Sequence, residues 1–117
     1  MRPRAYVVDD HDAFRTAASA LLDGMGYDVV GSAADGSCAV EEVARLNVDL
    51  VLLDLYLPGE DGVSVSGRLA ADGHGARVVL VSSREDAGRE ERVLAAPVVG
   101  FLAKRDLSRR LLLELLS

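Results

Sequence analysis

A parallel α/β sheet with helices on both faces is the fold class the sequence predicts, and three observations predict it. Five short apolar runs rich in Val and Leu recur near residues 5–8, 29–33, 49–53, 77–82 and 98–103. Segments with the apolar spacing of helices lie between and after them. The run Val48-Asp49-Leu50-Val51-Leu52-Leu53-Asp54 is almost continuously apolar, as a strand covered on both faces is. Strands alternating with helices build doubly wound parallel sheets, and right-handed crossovers restrict their topology. Such sheets bind ligands outside the carboxyl ends of their strands.

The helices follow in chain order. Residues 12–25 put Phe14, Ala17, Ala18, Leu21 and Leu22 on one stripe, and Gly24 and Gly26 suit its stop. Ser37 is the expected N-cap of a helix carrying Val40, Val43, Ala44 and Leu46. Residues 61–72 set Val63, Val65 and Leu69 among small residues, and Gly73-His74-Gly75 then breaks the chain, with His74 a turn residue. Residues 84–96 mix charges of both signs, as a solvated helix face does, and Pro97 ends them. Asp106 is the expected cap of the last helix, whose segment holds Leu107, Leu111, Leu112, Leu113, Leu115 and Leu116. One buried stripe cannot take them all, so an exposed apolar strip is expected from Leu107 to Leu116. Such a strip suits a homodimer mate or an output domain.

Bulk composition narrows the function classes. The 117 residues, half of them hydrophobic, suffice for one domain with a real core. Nineteen acidic residues against 13 basic ones give a formal charge of −6, which argues against direct binding to nucleic acid or to an anionic membrane. The single cysteine, Cys38, excludes an internal disulfide, fits a reducing cytosol and reads as small filler in its amphipathic helix. Only four apolar residues separate Arg4 from Asp9, too few for a signal peptide, and no run approaches a membrane span. The expectation is a soluble cytoplasmic domain.

Chemistry concentrates at the strand ends. Asp9-Asp10 close the first apolar run, Asp54 the third, Ser82 the fourth and Lys104 the fifth. Each has a plainer reading alone: Asp9-Asp10 as a helix-capping turn, Asp54 as the start of the Leu-Pro-Gly turn, Ser82-Ser83 as a loop start, Lys104 as a surface lysine, Phe101 as core. Together they converge on one edge. Two unit charges about 4 Å apart cost roughly 4 kcal/mol at an effective dielectric of about 20. Three gathered carboxylates therefore call for a cation, and Mg²⁺, which prefers oxygen ligands, is the natural one. His11 follows the acid pair closely enough to approach it.

The segments Val-Val-Asp-Asp-His-Asp-Ala-Phe-Arg, Leu-Leu-Asp-Leu-Tyr-Leu-Pro-Gly-Glu-Asp-Gly, Val-Leu-Val-Ser-Ser and Gly-Phe-Leu-Ala-Lys occur in that order, each at its own strand. Over essentially the whole chain they resemble the receiver domain of two-component response regulators. The resemblance implies a flavodoxin-like (CheY-like) sheet of order 2-1-3-4-5 with five helices. It implies that Asp54 is the phosphoacceptor for a sensor histidine kinase. Asp10 and Asp54 would hold Mg²⁺ directly, Asp9 largely through water, and the Tyr56 backbone carbonyl would complete the protein ligands, its side chain being exposed and unused. Lys104 would pair with a phosphoryl oxygen, Ser82 would donate its hydroxyl to the phosphoryl group, and Phe101 would swing inward.

The sequence departs from that family in places. Arg105 stands where most receivers have a proline, often cis, and a non-proline cis bond costs about 3 kcal/mol. Ser82 replaces threonine. Ala95-Ala96-Pro97-Val98-Val99-Gly100 replaces a small Gly-Ala turn, so the helix over 84–96 is expected to be short or mobile. Lysine, a non-proline residue and then Asp-Leu-Ser look like the NarL/FixJ (LuxR-type) receivers, whose parents are DNA-binding transcription regulators. The expected unit is one receiver domain over residues 1–117, without an output domain. One rival is a degenerate receiver that serves only as an interaction or dimerisation module. Another is a haloacid-dehalogenase-type phosphatase, which needs a second aspartate two residues after the nucleophile, where this chain has Tyr56.

Overall fold

The computed structural model describes residues 1–72 and 75–117, so the turn expected at Gly73-His74 lies outside the described residues. Five strands, β1 (Arg4–Val8), β2 (Asp28–Ala33), β3 (Leu50–Asp54), β4 (Arg77–Ser82) and β5 (Gly100–Ala103), pair in parallel in the order β2-β1-β3-β4-β5. The helices are α1 (Asp12–Gly24), α2 (Gly36–Leu46), α3 (Gly62–Ala71), α4 (Glu91–Leu94) and α5 (Arg109–Leu116). This is the flavodoxin-like architecture and strand order expected of a receiver.

The period-2 alternation of the strands divides the core into two halves. Ala5, Val7, Leu50, Leu52, Val79 and Val81 pack with Ala18 and Leu22 of α1 and Leu112 of α5. Tyr6, Val8, Val51, Leu53, Val78 and Leu80 pack with Val43 of α2, Val65 and Leu69 of α3, and Val93 of α4. Extending the alternation puts Asp9 and Asp54 on the α1/α5 face and Ser82 on the α2/α3 face. Leu102 joins the first half and Phe101 the second.

Local chemistry moves several boundaries. Asp35, not Ser37, caps α2 and accepts from the Cys38 amide at 2.8 Å. Its carboxylate also complements the positive end of the helix dipole, which a hydroxyl does less well. Ser108, not Asp106, caps α5 and accepts from the Leu111 amide at 3.2 Å, because Lys104–Asp106 form a 3-10 turn and the next two residues are extended. Ala17 is exposed while its neighbour Ala18 is buried, the ordinary result of a 100° step along α1. Cys38 is exposed on the first turn of α2 rather than filling the core.

The segment 84–96 is not one helix. Glu85–Arg89 form a 3-10 turn, Glu90 is extended, and α4 is a single turn. Gly88 lets the 3-10 turn sit close on Phe101: a Cβ there would lie 2.5 Å from the ring. The leucine strip is narrower than expected. Leu112 is buried, Leu107, Leu115 and Leu116 pack onto the α1/α5 half of the core, and Leu113 remains exposed with Leu111 half-buried. Among the described residues no peptide bond is cis, so Lys104–Arg105 is trans, and no helix is long and apolar enough to cross a membrane.

Gly62 opens α3 against the backbone of β3. A Cβ at Gly62 would meet the Asp54 carbonyl oxygen at 2.6 Å and Leu55 Cα at 2.9 Å, whereas nothing lies within 4 Å of one at Gly67. Gly62→Ala is expected to destabilise the fold by roughly 1–3 kcal/mol, as overpacking does. Gly67→Ala, mid-helix and in open space, should stabilise it by about 0.5–1 kcal/mol. Urea denaturation of the two variants checks both signs.

Candidate functional site

Four strand ends meet at one rim. The Asp9 amide extends the β1–β2 ladder by donating to the Ala33 carbonyl at 3.0 Å, which draws its side chain inward until it is wholly buried. Asp54 ends β3, and its carboxylate is also buried. Lys104, immediately after β5, sends Nζ to 2.6 Å from Asp9 Oδ2 and 3.7 Å from Asp54 Oδ2. The ammonium lies 4.4 Å from the centre of the Phe14 ring of α1, a cation–π contact that holds it from below. Lys104 is the only lysine in the chain.

His11 belongs to the same cluster. Its amide donates to Asp9 Oδ1 at 2.8 Å, and its Nδ1 stands 3.1 Å from that oxygen and 3.2 Å from Asp10 Oδ1. One donor atom from each of Asp9, Asp10, His11 and Asp54 can be chosen so that all lie within 4.8 Å of one another. The sequence signal for His11 was only its place after the acid pair. Its extended backbone at the N-cap of α1 turns the ring back over those acids.

Electrostatics leave the rim short of positive charge. Burial raises the Asp54 carboxyl from its ordinary 3.8 to about 6, and the neighbouring Asp9 charge adds to the rise. Lys104 and the Tyr56 amide, which donates to Asp54 Oδ1 at 3.3 Å, oppose it without cancelling it. Asp9 Oδ2 touches the ammonium at 2.6 Å yet has no aligned hydrogen-bond donor, so that contact is electrostatic rather than a directed bond. Gathered carboxylate oxygens, one of them wholly buried without an aligned hydrogen-bond donor, fit a hard divalent cation such as Mg²⁺.

The remaining expected residues lie around this cluster. Tyr56 sits two residues past Asp54, in a loop closed by its bridge to Asp61. Its side chain is more engaged than expected. The Arg84 guanidinium lies 5.3 Å from the ring centre and donates to the Tyr56 hydroxyl at 3.1 Å, and that hydroxyl reaches Glu90 at 3.4 Å. Arg92 joins Glu90 at 3.0 Å and Asp61 at 2.5 Å, so the charged segment after β4 is fastened to the loop after β3 instead of standing free in water. Ser82 is buried and its Oγ accepts from the Arg84 amide at 3.0 Å. Val81, not Ser82, is the register partner of Asp54. Phe101 is half-buried against the 3-10 turn at Gly88.

Residues 5–116 match the response regulator receiver domain. The chain belongs to that family. The nitrate/nitrite response regulator protein NarP of Escherichia coli is 32% identical over 109 residues, which are 92% of this chain and 50% of NarP. A protein-glutamate methylesterase/protein-glutamine glutaminase of Myxococcus xanthus is 43% identical over 94 residues, 80% of this chain and 26% of that protein. The signal receiver domain of NarL from Mycobacterium tuberculosis superposes with a TM-score of 0.83 at 32% identity, covering 97% of this chain and 94% of that one. The chain thus spans about half, or less, of the curated relatives it matches. Receiver domains are regulatory, and the relatives of this chain include both a response regulator protein and a methylesterase.

The raised Asp54 carboxyl has a pH signature. Between the ordinary 3.8 and about 6 the folded state keeps a proton that the unfolded chain has lost, so stability falls as pH rises through that window and levels off above it. A shift of this size corresponds to roughly 2–3 kcal/mol. Asp54→Asn, which can still accept from the Tyr56 amide, should be the more stable protein at pH 7.5 by about that amount in divalent-free buffer. The two should converge near pH 4, as followed by denaturant unfolding.

Proposed function

We propose that this receiver domain takes a phosphoryl group from a phosphohistidine of a sensor histidine kinase onto Asp54. The P–N bond to the imidazole breaks, the electron pair stays on that nitrogen, and an Asp54 carboxylate oxygen forms the new bond to phosphorus. The observation that carries this reading is the buried pair of carboxylates straddled by one ammonium, with Lys104 Nζ at 2.6 Å from Asp9 and 3.7 Å from Asp54. Phosphoryl transfer asks mainly for positioning and charge neutralisation, and such a site supplies both. Above about pH 6 Asp54 is ionised and can act as the nucleophile.

Asp10, Asp54 and the Tyr56 carbonyl would hold Mg²⁺, with Asp9 behind them, and the bound cation would offset charge on the phosphoryl oxygens. Lys104 then shifts its attention from Asp54 to a phosphoryl oxygen. The Ser82 hydroxyl turns from the Arg84 amide to donate to the same group, a charged hydrogen bond worth about 1.5–3 kcal/mol. A gain of that size moves a two-state equilibrium about tenfold or more. Phe101, on the Ser82 face of the sheet, is the side chain that answers it by moving inward. The unit over residues 1–117 acts in the cytoplasm as the switch of a DNA-binding transcription regulator. Its outlet is an output domain or a second copy meeting α5, and it makes no contact with nucleic acid itself.

Incubation with Mg²⁺ and a small acyl phosphate, followed by intact mass, tests the acceptor. Wild type should gain one phosphoryl group and Asp54→Asn none. A folded wild type that stays unmodified would leave a protein-interaction module in its place. Ser82→Ala should still take the phosphoryl group but lose the amide NMR shifts around Phe101 that accompany it in wild type. Identical shifts in both proteins would exclude Ser82 as the coupling group.

A further inference from the structure

We propose that His11 turns this cation site into a mixed nitrogen–oxygen one, able to take a borderline transition cation such as Zn²⁺ or Co²⁺ in competition with Mg²⁺. The inference rests on the cation site of the preceding reading and adds a ligand to it. His11 Nδ1 points at two carboxylates at once, 3.1 Å from Asp9 Oδ1 and 3.2 Å from Asp10 Oδ1. A proton on Nδ1 can be directed well at only one of them, whereas a cation between the three groups satisfies all.

The backbone of His11 is fixed independently of its ring. Its amide donates to Asp9 Oδ1, and its carbonyl accepts from the Arg15 amide at 3.1 Å. Although His11 occupies the N-cap of α1, its side chain makes no capping hydrogen bond. The ring is therefore committed to the acids and to nothing else in its helix. A second, separate observation points the same way: Asp9 Oδ2 in the same cluster is wholly buried without an aligned donor.

Ligand type then decides which cation gains. Imidazole nitrogen suits Zn²⁺, Co²⁺, Ni²⁺ and Cu²⁺, while Mg²⁺ depends on oxygen and gains little from nitrogen. Removing His11 should accordingly weaken the transition cation and leave Mg²⁺ nearly untouched. That difference separates a ligand from a residue that merely shapes the turn, since a distorted turn would weaken both.

The test is calorimetric titration of the full chain with Zn²⁺, with Co²⁺ and with Mg²⁺ separately, and with Zn²⁺ in the presence of excess Mg²⁺. The proteins are wild type, His11→Asn, His74→Asn and Asp54→Asn, with Co²⁺ absorption as a direct reporter of nitrogen ligation. Asn is a favoured N-cap residue, so His11→Asn should keep α1 intact, which circular dichroism checks. In that variant Zn²⁺ and Co²⁺ should bind at least about tenfold more weakly, on the scale of lost metal-site groups, with the Co²⁺ spectrum altered and Mg²⁺ affinity within about twofold. His74→Asn should behave as wild type, Asp54→Asn should weaken all three ions, and excess Mg²⁺ should lower the apparent Zn²⁺ affinity by competing for the same acids.

Equal Zn²⁺ affinity in wild type and His11→Asn would overturn the proposal while leaving the Mg²⁺ site standing. Zn²⁺ affinity that Asp54→Asn leaves unchanged would overturn it too, since the ion then sits elsewhere. His11-dependent Zn²⁺ binding without any Mg²⁺ binding would support the proposal and count against the Mg²⁺-dependent acceptor instead.

Discussion

The contact between Lys104 and the two buried aspartates governs the rest of the molecule. Removing carboxylates from water is costly, and one ammonium shared between Asp9 and Asp54 offsets only part of that cost. The elevated Asp54 carboxyl is the residue of the imbalance. A site built this way is held in a state that any added positive charge relieves, whether a divalent cation or a donor that approaches when the carboxylate is modified. The ends of the central strands thus carry negative charge that the fold itself leaves partly uncompensated.

The sheet separates the acid rim from Ser82 and Phe101. Asp9, Asp54 and Lys104 lie on the side where α1 and α5 pack, and Phe14 of α1 supports the ammonium. Ser82 and Phe101 belong by strand alternation to the other side, with the 3-10 turn and α4. Tyr56, Arg84, Glu90, Arg92 and Asp61 run as a polar chain between the loops that follow β3 and β4. A charge change at Asp54 therefore has a short structural route to the segment that is least regular in the fold.

The strands and the acid rim were legible in the sequence because buried parallel strands are nearly pure apolar runs, and a carboxylate or lysine ending such a run stands out. Strand ends at one sheet edge must converge, so the Asp9, Asp54 and Lys104 meeting followed from topology. What stayed hidden depends on contacts between distant residues. Asp35 and Ser37 are both good caps two positions apart, and only the observed start of α2 chooses between them. Gly88 in the 84–96 segment leaves room for Phe101, more than ten positions later, a contact no local pattern announces. The leucines of α5 sort into buried and exposed once Ser108 sets where the helix begins. His11 was visible as a neighbour of the acids, but its ring direction depended on the turn into α1.

Lys104 is the sole lysine, and the other 12 basic side chains are arginines. The domain thus carries a single side-chain amine, and that amine is largely sequestered at the acidic rim. Acylation there would erase the site's own ammonium in one stroke, with no second lysine to divert the reagent. The one lysine amine of this chain is shielded by the acids around it, so amine-directed reagents should reach the acid rim slowly.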